Sequence, residues 1–406
     1  MTGVQTCALP ISGERHATVG LAGIFGLRML GMFIVLPVLA LYAETLPGGR
    51  DHALVGLALG AYGLTQAILQ VPFGWASDRW GRKPVIVAGL AVFALGSFVA
   101  AWAPTIVWTI VGRTVQGAGA ISAAVMALTA DLTRDEVRTR AMAAIGMTIG
   151  ATFALSLVAG PALTGVIGVP GIFVLTGVLA LSAIGLLNRV VPDPNAPLAR
   201  ADTPGQWRRV LADAQLLRLN YGIFALHAAL MALFVQVPFM LRDNGVPGER
   251  HWLVYLPVLV ASVVLMLPAM FNADRPGRGK PVFIGAVAVL FVGQVLLALA
   301  GASLPLTIAA LVVFFTAFNL LEATLPSLIS KFAPAAIKGT AIGVYSSVQF
   351  FGAFVGAALG GWLSQHHGAA SVFGFCLVLT ALWLAASATM TAPPAYNHGN
   401  YSMGET

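Results

Sequence analysis

The sequence predicts an all-α integral membrane protein of twelve transmembrane helices, arranged as two six-helix bundles with both termini in the cytoplasm. Three observations lead there: composition, the length of the apolar runs, and a repeat relating the two halves. Of the 406 residues, 58% are hydrophobic and only 9% charged, against roughly a quarter charged in a soluble domain. A soluble enzyme is excluded. Crossing a ~30 Å hydrocarbon core takes about 20 apolar residues at ~1.5 Å rise each. The apolar runs here have that length and are rich in Leu, Ala and Gly, unlike the ten-residue alternating segments of a membrane β-barrel. The net charge of +7 does not point to nucleic acid, because the basic residues are scattered over loops rather than gathered on one soluble face. Cys7 and Cys376 lie at opposite ends of the chain, so no disulfide framework is implied.

Residues 1–12 stand apart. Their opening, MTGVQTCALPI, reads as the translation of a sequencing-adapter oligonucleotide, so a non-native start is expected and is excluded from fold reasoning. The first bundle is assigned to 13–191, with spans beginning near Ala17, Ala53, Pro84, Thr105, Ala141 and Gly171. The second is assigned to 219–392, with spans beginning near Leu219, Trp252, Pro281, Leu304, Gly339 and Ala369. Kinks are expected in the helices starting at Thr105, Ala141 and Leu304, from Pro161 and Pro326. Residues 192–218 form the longest polar stretch and read as a cytoplasmic linker; 393–406 is a polar tail. In the linker Thr203 can cap a short helix with Pro204 in its first turn. Trp207, Val210, Leu211 and Ala214 then share one face opposite Arg208, Arg209 and Asp213, the pattern of an interfacial amphipathic helix.

Basic residues set the orientation. With both termini inside, the cytoplasmic loops take all the Lys and Arg except Arg50, Arg242 and Arg250 outside and Arg28 and Arg113 within the membrane, as the positive-inside rule requires. The halves repeat at one offset: Asp78-Arg79-Trp80-Gly81-Arg82 recurs as Asp274-Arg275-Pro276-Gly277-Arg278, and Gly160-Pro161-Ala162-Leu163-Thr164-Gly165 meets Gly356-Ala357-Ala358-Leu359-Gly360-Gly361. Duplication of a six-helix unit preserves topology. The copies should therefore be related by an axis along the membrane normal, with a substrate path between them.

Gly74-Trp75-Ala76-Ser77-Asp78-Arg79-Trp80-Gly81-Arg82-Lys83 resembles the GxxxDRxGRK signature of the major facilitator superfamily in full. Arg113-Thr114-Val115-Gln116-Gly117-Ala118-Gly119 resembles its fourth-helix RxxQGxG motif. Gly160-Pro161 with Gly165 resembles the fifth-helix GPxxGG motif of its drug:proton antiporters, with Thr164 where a second glycine is usual. The resemblance covers nearly the whole chain after residue 12. It extends to one bacterial member that carries a small cytoplasmic domain after the twelfth helix; here only the polar tail follows, so a relative lacking that domain, or an early end to the reading frame, is expected.

The resemblance implies that Asp78 sits beside the start of the eleventh helix and latches the halves in the outward-facing state. An exposed helix N-terminus favours a carboxylate by about 0.3–1 kcal/mol. Gly74 would permit the close approach, and Arg79, Arg82 and Lys83 would anchor the loop to lipid phosphates; the alternative for these three is a purely topogenic loop. Asp274, Arg275, Gly277 and Arg278 repeat the gating motif in the second half. Arg113 lies roughly 13 Å deep, too deep for easy snorkelling. It either tunes a proton-binding carboxylate, with Gln116 and Gly117 on its face, or merely pins helices by hydrogen bonds. Arg28 poses the same choice and reads as structural. The small residues on the fourth, fifth and eleventh helices read mostly as packing, with Pro161 as either hinge or packing residue. Met29, Met32, Phe33, Phe234, Phe239, Phe314, Phe315, Phe350 and Phe351 could line a cavity or face lipid. His366 and His367 lack further metal ligands in sequence.

Glu322 is the acidic residue deep in a spanning run, roughly 13 Å in from Lys331. A charge against lipid there costs at least ~2.5–3.5 kcal/mol, so Glu322 should face the bundle interior. Asn319 one turn earlier and the backbone carbonyl freed by Pro326 would complete a small polar site. Glu322, Arg113 and Asn319 are therefore the proton-coupling candidates, the alternative for Glu322 being a structural carboxylate. No nucleotide-binding loop, metal-ligand spacing or nucleophile elbow is present. The expectation is a monomeric secondary transporter in a bacterial inner membrane, needing no cofactor beyond the proton gradient and exporting a small amphipathic compound in exchange for protons. The alternatives are a proton-coupled nutrient importer and a sensor or channel on the same fold.

Overall fold

The computed structural model describes residues 12–193, 206–273, 275, 277–334 and 337–391. The adapter-like start, Thr203, Pro204, Asp274 and the polar tail lie outside them. Every regular element described is helical: α1 (Ser12–Phe33), α2 (Leu36–Ala43), α3 (His52–Trp80), α4 (Arg82–Ala101), α5 (Ile106–Ala118), α6 (Ser122–Asp131), α7 (Asp135–Val190), α8 (Gln206–Ala212), α9 (Ala214–Asp243), α10 (Trp252–Ala273), α11 (Gly279–Ala300), α12 (Leu304–Phe332), α13 (Lys338–His367) and α14 (Ala369–Ala388). Eleven stretches among the described residues are long and apolar enough to cross a membrane, one of them the 51-residue Arg140–Val190.

That long stretch is two helices. Gly168 interrupts α7 with φ 66° and ψ 173°, backbone open essentially to glycine alone. The limbs on either side run in opposite directions along α1. On the first limb Thr148 lies against Gly26 and Gly160 against the Ile34 carbonyl; on the second, Thr176 lies against Gly31 and Leu186 against Gly23. The chain thus doubles back at Gly168. The reversal falls just ahead of Gly171, where the sixth span was expected to begin, and the helix continues through Pro161, where a kink was expected. Two further interruptions carry no proline of their own: residues 119–121 part α5 from α6, and Ile34-Val35 part α1 from α2, where Pro37 sits in the new first turn. A proline lacks only its own amide and fits a first turn, whereas a glycine with positive φ cannot continue the helical hydrogen-bond ladder.

Small residues join the helices, since lipid removes the hydrophobic drive for association and leaves close packing to do it. Gly56, Gly60 and Gly63 of α3 press on the α13 backbone at Ala357, Phe354 and Phe350, so these helices run antiparallel in tight contact. The internal repeat has a counterpart in the packing: Gly160 of α7 meets the Ile34 carbonyl just past α1, and Gly356 of α13 meets the Ala228 carbonyl of α9. The short α8 forms, but its expected single apolar face is divided. Val210 is buried while Trp207 and Leu211 are half-exposed, because Val210 turns toward α9 and α13.

Candidate functional site

The tight α3–α13 contact lies at one end of the molecule only. At the other, which carries Asp78, Arg82 and the starts of α7 and α13, a side chain added at Gly146, Gly150, Gly339 or Gly343 would touch nothing within 4 Å. No glycine-mediated backbone contact of the kind that joins α3 to α13 is made at these positions.

Three side chains from three helices meet in the second half. Glu322 of α12 accepts from Gln349 Nε2 of α13 at 3.5 Å through Oε1, and its Oε2 lies 3.8 Å from His227 Nε2 of α9. Gln349 Nε2 is also 2.8 Å from His227 Nε2, and His227 Nδ1 is 3.3 Å from the Ile223 carbonyl. These bonds assign the ring: Nδ1–H donates to Ile223, so Nε2 carries the lone pair and accepts from Gln349. The Gln349 amide, with two N–H groups, serves both neighbours. Glu322 Oε2 has no hydrogen-bond partner among the described residues, and the Glu322 side chain is 35% exposed. Asn319, expected beside Glu322, instead donates to Ser262 Oγ of α10 at 3.1 Å, because one turn of helix carries it toward that neighbour. Beside the site the Phe318 ring centroid lies 6.1 Å from that of His227, tilted by 58°, and 6.0 Å from that of Phe153. Phe153 also contacts Phe33 and Phe234, so rings from both halves of the chain meet here.

Arg113 is not brought to Glu322. It is fully buried, donates to Gln116 Oε1 at 2.6 Å and to the Ala58 carbonyl at 3.4 Å, and lies 4.9 Å over the Tyr62 ring. Gln116 passes the network on to Ser97 Oγ at 2.8 Å. Gly117 allows α5 to approach the Tyr62 backbone of α3. Arg28 meets the same tyrosine from the other side, donating to Tyr62 Oη at 2.8 Å, to the Gly119 carbonyl and to Ser122 Oγ. Two buried guanidinium groups thus share Tyr62, and neither has a carboxylate partner among the described residues.

At the basic end, Arg82 is the centre of the DRWGRK loop. It pairs with Asp78 one turn back, donates to Ser77 Oγ at 2.9 Å and reaches Asp131 Oδ2 of α6 at 2.9 Å. Gly81, at φ 98°, makes the turn that brings α4 back to α3. Lys83 pairs with Asp193 at 2.8 Å, and Arg79 lies over Trp75. Asp78 has no hydrogen bond or ion pair to α13 among the described residues, and Gly74 approaches Ala123 of α6 rather than the eleventh span. In the second half, Gly277 makes the corresponding turn at φ 74°, while Arg275 and Arg278 make no ion pair among the described residues. Gly165 lies beside Glu249 at the far end.

His227, Gln349, Ser77, Asp131 and Phe153 escaped the sequence reading. A signal existed for the first two, since a polar group inside an apolar run needs a polar partner; nothing in sequence joins them to Glu322. Among the aromatic candidates, Phe234, Phe314 and Phe315 are buried, Phe239 stacks on His52, Phe350 meets Tyr62, and Phe351 is half-exposed.

The model of the Major Facilitator Superfamily matches residues 21–255 and 219–405. The chain is 46% identical over 385 residues to the inner membrane transport protein YajR of Escherichia coli, covering 94% of this chain and 85% of that protein. It is 27% identical over 306 residues to the class C tetracycline resistance protein of Escherichia coli, covering 71% and 74%. A solved bacterial homologue of the human lysosomal transporter Spinster, in an inward-facing and occupied conformation, superposes with TM-score 0.78 at 13% identity, over 93% of this chain and 97% of that one. Family match and membrane-spanning helices agree, and the chain belongs to the Major Facilitator Superfamily, as an inner-membrane transporter and not an enzyme.

Proposed function

We propose that this protein is a proton-coupled exporter of a small amphipathic compound, working by alternating access between two six-helix bundles, 13–191 and 219–392, joined by the 192–218 linker. Positive-inside counting supports a cytoplasmic location for both termini and the basic end, and the tight α3–α13 contact at the opposite end then corresponds to the inward-facing state. The observation that carries the reading is the Glu322–His227–Gln349 cluster. Its Glu322 side chain is 35% exposed and keeps one buried carboxylate oxygen without a hydrogen-bond partner among the described residues, 3.8 Å from His227 Nε2 and beside the Phe318 ring. A proton bound there removes a negative charge from a low-dielectric site, and an amphipathic substrate can then leave the aromatic rings as the proton enters. The multidrug resistance protein MdtH of Cronobacter sakazakii, 24% identical over 346 residues, supports the direction of transport. Arg113 and Asn319 act in this scheme by holding the first-half core and α10 in register. The protein works as a monomer, with lipid and substrate as its partners.

The test is transport of a chemically diverse compound panel in proteoliposomes carrying an imposed pH gradient, with and without a protonophore. Uphill, protonophore-sensitive movement supports antiport. Movement down the substrate gradient alone, indifferent to pH, contradicts it.

A further inference from the structure

The end opposite the basic loops closes through polar side chains as well as glycines. His52, at the start of α3, sends Nδ1 to Ser364 Oγ of α13 at 2.9 Å, and its backbone amide donates to Gln365 Oε1 at 2.9 Å. Its ring lies flat on Phe239 of α9, centroids 4.7 Å apart with 5° between planes. Its Nε2 faces Glu44 Oε1 at 4.0 Å, and Glu44 in turn pairs with Arg242 at the end of α9. Each of these contacts except His52–Glu44 joins the first half of the chain to the second.

The hydrogen bonds fix which nitrogen is bare. Ser364 spends its hydroxyl proton on Gln236 Oε1 at 3.0 Å, so its oxygen must accept from His52 Nδ1–H. A neutral ring has no second proton. Its Nε2 lone pair therefore points at a carboxylate, an arrangement without attraction. One added proton turns it into an imidazolium facing Glu44 and stacked on an aromatic face, both favourable.

The other charges nearby leave that change unopposed. Arg242 is already held by Glu44 and by Asp243 at 3.1 Å, and Asp51 is committed to the Ala53 amide as the cap of α3. From α13 only the neutral Ser364 and Gln365 face the ring, while His366 turns away onto Trp362. With Glu44, Asp51 and Asp243 negative and Arg242 positive, protonation of His52 lowers the net negative charge of the cluster from two to one.

We propose that His52 is a proton-operated latch of the outer gate: protonation from outside, supported by the neighbouring Glu44, strengthens the stack of the ring on Phe239 of α9, a contact across the halves, and so holds the outer ends of α3 and α9 together and favours the inward-facing state. "Outer" rests on the orientation proposed above. The direction matches antiport, since acid outside then promotes the step that carries protons inward.

The test is the distance between spin labels at Trp102→Cys and His367→Cys, two exposed positions at this end in different halves, in purified protein lacking its native cysteines and held in nanodiscs. Lowering pH from 8 to 5.5 should raise the ratio of short to long distances roughly two- to fivefold, the weight of one cation on an aromatic face at a partly exposed site. His52→Gln should abolish that response, and Phe239→Leu should do so while leaving the ring's bond to Ser364. A pH response surviving in both variants overturns the proposal, as does a response lost in Glu322→Gln but kept in His52→Gln. Because both sides of a nanodisc share one pH, failure of proton-coupled export would appear in transport and leave this readout unaffected.

Discussion

His227 Nε2 and Glu322 Oε2 face each other at 3.8 Å across the α9–α12 seam, with the Gln349 amide donating to both side chains. His227 Nε2 is already occupied by the Gln349 amide while Glu322 Oε2 has no partner among the described residues, so a single proton taken up by Oε2 changes the charge of the pair without rearranging the Gln349 bridge.

Glu322→Gln should abolish pH-gradient-driven transport while preserving substrate binding and downhill exchange, because the amide keeps the shape and loses the titration. Counterflow and gradient-driven uptake in the same vesicles separate the two. A variant that still accumulates substrate against its gradient would falsify the assignment. Gln349→Leu should be milder, weakening coupling by roughly tenfold, the equivalent of about 1.4 kcal/mol for a lost polar bridge.

Asp78→Asn should insert and fold normally but lose transport. Asp78 is 43% exposed and Arg82 keeps Asp131 at 2.9 Å, so the stability change should stay within about 1 kcal/mol. The functional loss comes from the outward-facing state, where the carboxylate is proposed to meet the eleventh span. Labelling of outer cysteines should fall in the variant; unchanged transport at equal expression would leave the loop with a topogenic role alone.

Gly168→Ala should destabilise the protein more than Pro161→Ala. A side chain at φ 66° and ψ 173° costs on the order of 1–3 kcal/mol, whereas Pro161 sits in continuous helix and its replacement restores an amide. Pro161→Ala is expected to slow conformational exchange with substrate binding intact. Thermal melting in detergent measures the first effect, and a lower Tm for Pro161→Ala than for Gly168→Ala would reverse the assignment of the hinge.

Gly56→Ala should open the outer contact. Its Cβ would overlap the Ala357 carbonyl and the Gly361 backbone, neither of which can rotate away. Outer cysteine labelling should rise several-fold in the variant while the same substitution at Gly343, which faces open space, leaves it unchanged.

Sequence by itself determined the spans, their order, the basic loops and the family, because each depends on local composition and spacing. A run of about 20 apolar residues must become a helix in lipid, where no other structure satisfies its backbone, and the DRWGRK loop is contiguous. It also singled out Glu322, since an isolated carboxylate in such a run is costly wherever the chain folds. Tertiary structure decided the partners. Gln349 stands 122 positions from His227 and 27 from Glu322, and only the packing of α9, α12 and α13 brings the three together. The same holds for Arg113, whose depth was legible but whose partners proved to be Gln116 and Tyr62 rather than a carboxylate. The turn within α7 was legible to within a few residues from the span expected to begin near Gly171, while its backbone geometry at Gly168 and the packing of its two limbs against α1 came from the tertiary structure.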